Sequence, residues 1–247
     1  MNARAYVDYL LGWLEQQRRE LYGLDGYVLG LSGGIDSAVC AHLLKELAVP
    51  RLALLLPAAV SGPEDLADGL GVAEDCGLEH RVIDIEALYL QFLGALGDGI
   101  DLNGERVAVL RGNLMARIRM ILLFTTAQSR RAVVLGTDNR AEWHMGYFTK
   151  FGDGAADLLP LAALRKEQVY ELARCLGVRA SVREKRPSAG LWVGQTDEEE
   201  MGVSYADIDR FLRGEPVSAA ARERIDFWHN RSHHKRQLAP VPHPPEA

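Results

Sequence analysis

Apolar residues recur at Tyr6, Leu10, Trp13, Leu14 and Leu21, close to helical spacing, so the chain opens on an amphipathic helix. The run from Tyr27 to Leu31 has the length and apolarity of a buried strand, and Val39, Leu43, Leu44 and Leu47 mark a helix soon after it. Arg51 to Leu56 predicts a second strand, stopped by Pro57. Pro63 suits the first turn of a helix, where a missing N–H costs nothing, and Leu66, Leu70 and Ala73 give that helix its stripe before Gly77. A third strand is expected over Arg81 to Ile85, a helix over Ala87 to Leu96, a long helix over roughly Glu105 to Gln128, and a fourth strand over Arg131 to Gly136.

Apolar strands alternating with helices predict a parallel sheet covered on both faces, joined by right-handed crossovers, so the fold class is α/β. The segment from Thr137 to Asp157, with glycines at 146, 152 and 154 and aromatics at Trp143, Tyr147, Phe148 and Phe151, breaks the pattern and reads as a long functional loop. Helices follow over Arg165 to Leu176, from Ser204 towards Leu212, and over Ser218 to His233, and Thr196 to Glu199 reads as a capping box. The chain is read as one domain over 1–247, with a core at about 27–180 and a helical part at about 196–236. Four of the ten prolines lie in the last eight residues, so 237–247 is expected to be extended or disordered.

Composition narrows the function classes. Of 247 residues, 48% are hydrophobic and 25% charged, the balance of a globular protein, and the net charge is 28 − 34 = −6. That is a poor match to a nucleic-acid backbone, though a few placed cations still suit a small polyanion. The longest apolar stretch, Leu52 to Val60, falls far short of the roughly 18 residues that cross a bilayer. Cys40, Cys76 and Cys175 form no CxxC pair, which points to a reducing compartment; a soluble cytoplasmic protein is expected. Cys40 and Cys175 fall on apolar helix stripes and read as core.

The sharpest chemical feature is Ser32-Gly-Gly-Ile-Asp-Ser37, between a strand and a helix. Backbone N–H groups at such a helix start point outward at the positive end of its dipole and suit phosphate oxygens. The lysine of GxxxxGK[ST] is missing, so this is not a Walker loop; Ser32 and Ser37 are the extra donors. Asp36 would repel a phosphate without a cation between them, which suggests Mg²⁺. His229, His233 and His234 suggest a zinc site, but no acidic or cysteine ligand is near in sequence and a solvated helix end is preferred.

The hexapeptide resembles the pyrophosphate-binding loop of N-type ATP pyrophosphatases. The motifs Gly112 to Arg119, Gly136 to Glu142, Gly146 to Asp157, Pro187 to Glu198 and His234-Lys-Arg236 together resemble ammonia-dependent NAD synthetase, in order from near residue 27 to residue 236. The resemblance implies a Rossmann-like three-layer fold with about five parallel strands. It also implies ATP-dependent amidation of deamido-NAD by ammonia through an adenylate, giving NAD, AMP and pyrophosphate. Carried over, it assigns Gly30, Leu31, Ser32, Gly33, Gly34, Ile35, Asp36, Ser37, Thr137, Lys166 and Ser188 to ATP. Asp36 and Glu142 become Mg²⁺ ligands; Arg117, Lys150, Asp157, His234 and Lys235 bind deamido-NAD; and Asp36, Lys166 and Asp157 carry catalysis.

Read on their own, Arg117 and Arg119 also suit a solvated helix face or a partner contact, and Glu142 an ion pair with Arg140. Asp157 also suits a turn cap, and Lys166 an ordinary helix start. The chain departs from some relatives at Leu55, where they have arginine, and at Ala162 to Arg165. The length leaves no room for a glutaminase domain, so free ammonia, or ammonia from a separate source, is expected. A homodimer joined through the long helix, apolar at Met120 to Phe124, is implied. The alternative substrate is nicotinate mononucleotide or another carboxylic acid.

Overall fold

The computed structural model describes residues 2–99, 107–188, 190 and 195–242. Asn2 accepts the Ala5 N–H and caps α1 (Ala3–Gln16), which runs into a π-helical turn, Gln17–Tyr22. Then follow β1 (Gly26–Gly30), α2 (Ile35–Lys45), β2 (Arg51–Leu55), α3 (Pro63–Asp75), β3 (Glu79–Val82) and α4 (Glu86–Leu96). After these come α5 (Val107–Ser129), β4 (Ala132–Leu135), α6 (Arg140–Met145), α7 (Lys166–Cys175) and α8 (Ala180–Arg183). The last elements are α9 (Asp197–Met201), α10 (Tyr205–Leu212), α11 (Ala219–Arg231) and a 3₁₀ turn, His233–Arg236.

The four described strands form one parallel sheet in the order β3-β2-β1-β4. Alternate residues point to opposite faces, as the pleat requires. Tyr27, Leu29, Ala53, Leu55, Val133 and Leu135 join α1, α2 and α7 in one core layer. Val28, Leu52, Leu54, Ala132 and Val134 face the layer that holds Met115 and Ile118 of α5. A third cluster joins Met145 of α6 to Met201, Ile208 and Ile225 of the C-terminal helices. The connections leaving β1 and β4 diverge, and in open parallel sheets that point opens a crevice at the carboxyl ends.

Four of the about five expected strands are described, and Leu158 makes a single parallel bridge to Leu135 at the place a fifth would take. Other expectations need correction. The third strand runs from Glu79 to Val82, not from Arg81 to Ile85: it is an exposed edge strand placed by backbone pairing with β2, with no buried face to read. The loop after β4 contains α6, which Asn139 caps. Thr196 makes no side-chain cap, so the expected capping box does not form, whereas Ser204 and Ser218 do cap α10 and α11. Cys175 is exposed because the buried stripe of α7 runs through Val169, Leu172 and Ala173. Glu105, the expected start of the long helix, and residues 243–247 of the tail lie outside the described residues; 237–242 have no regular structure. Among the described residues, no helix is long and apolar enough to cross a membrane.

Candidate active site

The Ser32–Ser37 turn is held by its own hydroxyls. Ser32 Oγ lies 3.0 Å from Ser37 Oγ and accepts the Gly34 N–H at 3.2 Å, while Ser37 Oγ donates to the Gly34 carbonyl at 3.0 Å. Gly33 has φ +81°, and a Cβ there would lie 2.1 Å from the Asp65 carbonyl oxygen, so backbone conformation and space both demand glycine. No side chain caps α2. Its first N–H groups, which have no partner inside a helix, are available to an anion.

Behind this turn two carboxylates from different elements converge on one ammonium. Lys166 Nζ donates to Asp36 Oδ2 at 2.6 Å and to Glu142 Oε1 at 3.4 Å, with the lysine side chain 4% exposed. Asn139 fixes both acids. Its amide donates to Asp36 Oδ1 at 3.0 Å, and its backbone N–H donates to Glu142 Oε2 at 3.0 Å, within the capping box that starts α6. Asp209 of α10 accepts the N–H groups of Lys166 and Glu167 at 3.1 and 2.8 Å, which sets the start of α7. Burial opposes the charge on Lys166, but Asp36 and Glu142 outweigh it and hold the ammonium above its ordinary range. Burial, then the nearby Asp36, pushes Glu142 up to about 7.

Two carboxylates with room for phosphate oxygens fit a hard divalent cation such as Mg²⁺, which keeps few protein ligands. Among the described residues, no group of three or more His, Cys, Asp or Glu forms a fuller cage. His229 instead stacks on His144 at 4.2 Å, and its Nδ1 meets the His144 carbonyl at 2.9 Å.

A cavity of about 310 Å³ gathers most of the residues assigned to ATP: Gly30, Leu31, Ser32, Gly34, Ile35, Asp36, Ser37, Thr137, Lys166 and Ser188, with Glu142. Gly33 belongs to the same turn. The residues assigned to the dinucleotide do not line this cavity. Four of them form a neighbouring group: Arg117 donates to the Lys150 carbonyl at 3.3 Å, Lys150 Nζ donates to the His234 carbonyl at 2.7 Å, and Lys235 Nζ donates to the Gly146 carbonyl at 2.7 Å. Asp157 stands apart, its carboxylate accepting the Val134 N–H at 2.8 Å and its carbonyl accepting the Tyr22 hydroxyl at 3.0 Å.

Several residues at or beside the cavity escape the sequence reading. Asp138 is a buried acid and Asp153 an exposed one at the rim, each raised by desolvation, and among the described residues Asp138 Oδ2 has no hydrogen-bond partner. Tyr205 of α10 sets its hydroxyl 2.9 Å from Asp197 and its ring 4.8 Å under Lys166 Nζ. Lys185 is bonded to Asp65 and Asp68 of α3. Asn139-x-x-Glu142 is a capping pattern that was readable; Asp209 and Tyr205 reach the site from about forty residues downstream of Lys166, with no local signal.

Comparison with known proteins places this arrangement. The chain is 62% identical to the NH(3)-dependent NAD(+) synthetase of Mannheimia succiniciproducens over 246 residues, covering 100% of this chain and 98% of that one. Its structure is similar to that of an NMN synthetase from Francisella tularensis, at TM-score 0.93 and 49% identity, covering 98% and 99% of the two chains. It is also similar to an NH3-dependent NAD synthetase from Campylobacter jejuni, at TM-score 0.79 and 27% identity, covering 98% and 100%. The family model for NAD synthase matches residues 6–239, and the chain therefore belongs to the NAD synthase family, enzymes that form a C–N bond.

Proposed function

We propose that the chain amidates the nicotinate carboxylate of deamido-NAD with ammonia, at the expense of ATP, releasing NAD, AMP and pyrophosphate. The observation that carries this reading is the convergence of Asp36, Glu142 and Lys166 beside an uncapped helix start, inside one cavity. The carboxylate oxygen attacks the α-phosphorus and pyrophosphate leaves; ammonia then attacks the activated carbonyl, and AMP departs with that oxygen. No protein nucleophile is needed. The Ser32–Ser37 amides and hydroxyls hold the departing pyrophosphate, Lys166 supplies fixed positive charge, and Thr137 and Ser188 complete the ATP contacts. Asp36 and Glu142 would hold Mg²⁺, which when bound screens the phosphate charge.

Arg117, Lys150, His234 and Lys235 form the proposed nucleotide-acid surface, and Asp157 serves it from a separate position. Its bonds to β4 and to Tyr22 support a positioning role for Asp157. Exposed apolar residues on α4 (Leu90, Phe92, Leu96) and α5 (Val109, Ile121) support a second copy of this chain as a partner of these helices.

A second reading, amidation of nicotinate mononucleotide, is favoured by one observation: the Francisella NMN synthetase is the nearer of the two compared folds, at TM-score 0.93 against 0.79. Purified protein given ATP, Mg²⁺ and ammonium with each acid in turn separates the two by kcat/KM. Faster amide formation from the dinucleotide upholds the first reading, and faster formation from the mononucleotide establishes the second. No amide from either acid overturns both.

A further inference from the structure

Among the described residues four cations line the cavity, and three are accounted for. Lys166 is held by Asp36 and Glu142, Lys185 by Asp65 and Asp68, and Arg186 is exposed to solvent. Arg119 of α5 is the fourth. It is half-buried, and its Nε donates to the Leu56 carbonyl at 2.9 Å, which fixes the guanidinium at the end of β2. A guanidinium carries five N–H donors. No carboxylate among the described residues reaches salt-bridge distance of it. The opposite charge it feels is Asp153 of the same cavity, whose Oδ1 is already taken up by the Thr149 N–H at 2.9 Å. Holding a cation out of water without a carboxylate is costly, and burial accordingly lowers its proton affinity.

The placement suggests what completes it. The uncapped start of α2 belongs to one core layer and α5 packs in the other, so Arg119 and the phosphate turn approach the cavity from opposite faces of the sheet. In an in-line displacement the nucleophile enters opposite the leaving group. With pyrophosphate at the Ser32–Ser37 turn, the entering acid comes from the α5 side. We propose that Arg119 binds an anionic oxygen at the reacting centre, first of all the carboxylate of the acid substrate, through its guanidinium fork. This rests on the reading that ATP and a nicotinate nucleotide meet in this cavity. It adds a residue that the resemblance assigned to no role.

The test compares wild type, Arg119→Gln and Arg119→Lys. Equilibrium titration with the acid nucleotide and with its amide, which lacks the carboxylate charge, is run beside kcat and KM for amide formation. Wild type should bind the acid at least tenfold more tightly than the amide, and Arg119→Gln should erase that preference while KM for ATP stays within twofold. Arg119→Lys should recover only part of the preference, because an ammonium keeps the charge without the fork. A preference kept in Arg119→Gln with kcat down at least tenfold and melting unchanged would place the oxygen on the α-phosphoryl instead. The proposal is overturned if preference and kcat both survive. It is also overturned if wild type shows no preference, or if acid, amide and ATP weaken alike with a lower melting midpoint, as loss of the Leu56 anchor alone would give. Failure of wild type to make amide sinks the proposed reaction, whereas an active wild type matched by Arg119→Gln sinks only the role of Arg119.

Discussion

Lys166 carries its charge in a nearly closed site because Asp36 and Glu142 share it. Removing one member of a buried ion cluster leaves the others uncompensated, at a cost of about 3–5 kcal/mol. Lys166→Met should therefore lower the melting midpoint, and Mg²⁺ should raise that midpoint more in the variant than in wild type. Thermal denaturation with and without Mg²⁺ checks this, and equal Mg²⁺ effects would remove the two carboxylates as a metal site. Asp36→Asn should keep its fold by circular dichroism and lose about 10²–10³ in pyrophosphate release, the scale of removing one electrostatic group at a reacting centre. Near-normal turnover would contradict its role. These residues were legible because the turn motif and the later motifs are local strings. The separate position of Asp157, and the convergence of Arg119, Asp138 and Asp153 on the cavity, depend on packing that no local string records.

At the scale of elements, Asp209 holds the first turn of α7 from another helix through the Lys166 and Glu167 N–H groups, so its loss acts on the Lys166 ammonium without touching it. Asp209→Ala should cost about 0.5–2 kcal/mol, as other helix-start acceptors do, and should lower kcat. Chemical denaturation with steady-state kinetics tests both, and unchanged kcat would show that α7 holds Lys166 unaided. Gly33 and Gly77 offer a matched pair, each at positive φ, but a Cβ at Gly77 meets nothing within 4 Å. Gly77→Ala should cost about 1–2 kcal/mol of backbone strain, whereas Gly33→Ala should cost more and abolish ATP binding by forcing the turn off Asp65. Central strands were readable because they are buried on both faces. The edge strand β3 was not, since it is exposed throughout, and α6 is short enough that its cap, rather than its period, defines it.

For the whole molecule, the buried His42 and the half-buried His144 set an acid limit. Burial lowers His42, and burial with the charges of His229, Arg236 and Arg140 lowers His144 to about 4. The unfolded chain takes up these protons near pH ~6.5, before the folded one does, so stability is full above that value and falls below it, the His144 share being lost as pH falls towards about 4. Replacing either residue, as His42→Leu or His144→Phe, should flatten the fall of the melting midpoint across that window. The α/β class was legible because alternating periods govern the whole chain. Where a fifth strand would lie, Leu158 alone pairs with β4, bonding the Val134 carbonyl and the Gly136 N–H in a single bridge. The central claim is that one cavity joins acid to ATP before ammonia arrives. Acid substrate labelled with ¹⁸O in its carboxylate, turned over with ATP and ammonium, should deliver one ¹⁸O into AMP; amide formed with unlabelled AMP would contradict an adenylated intermediate.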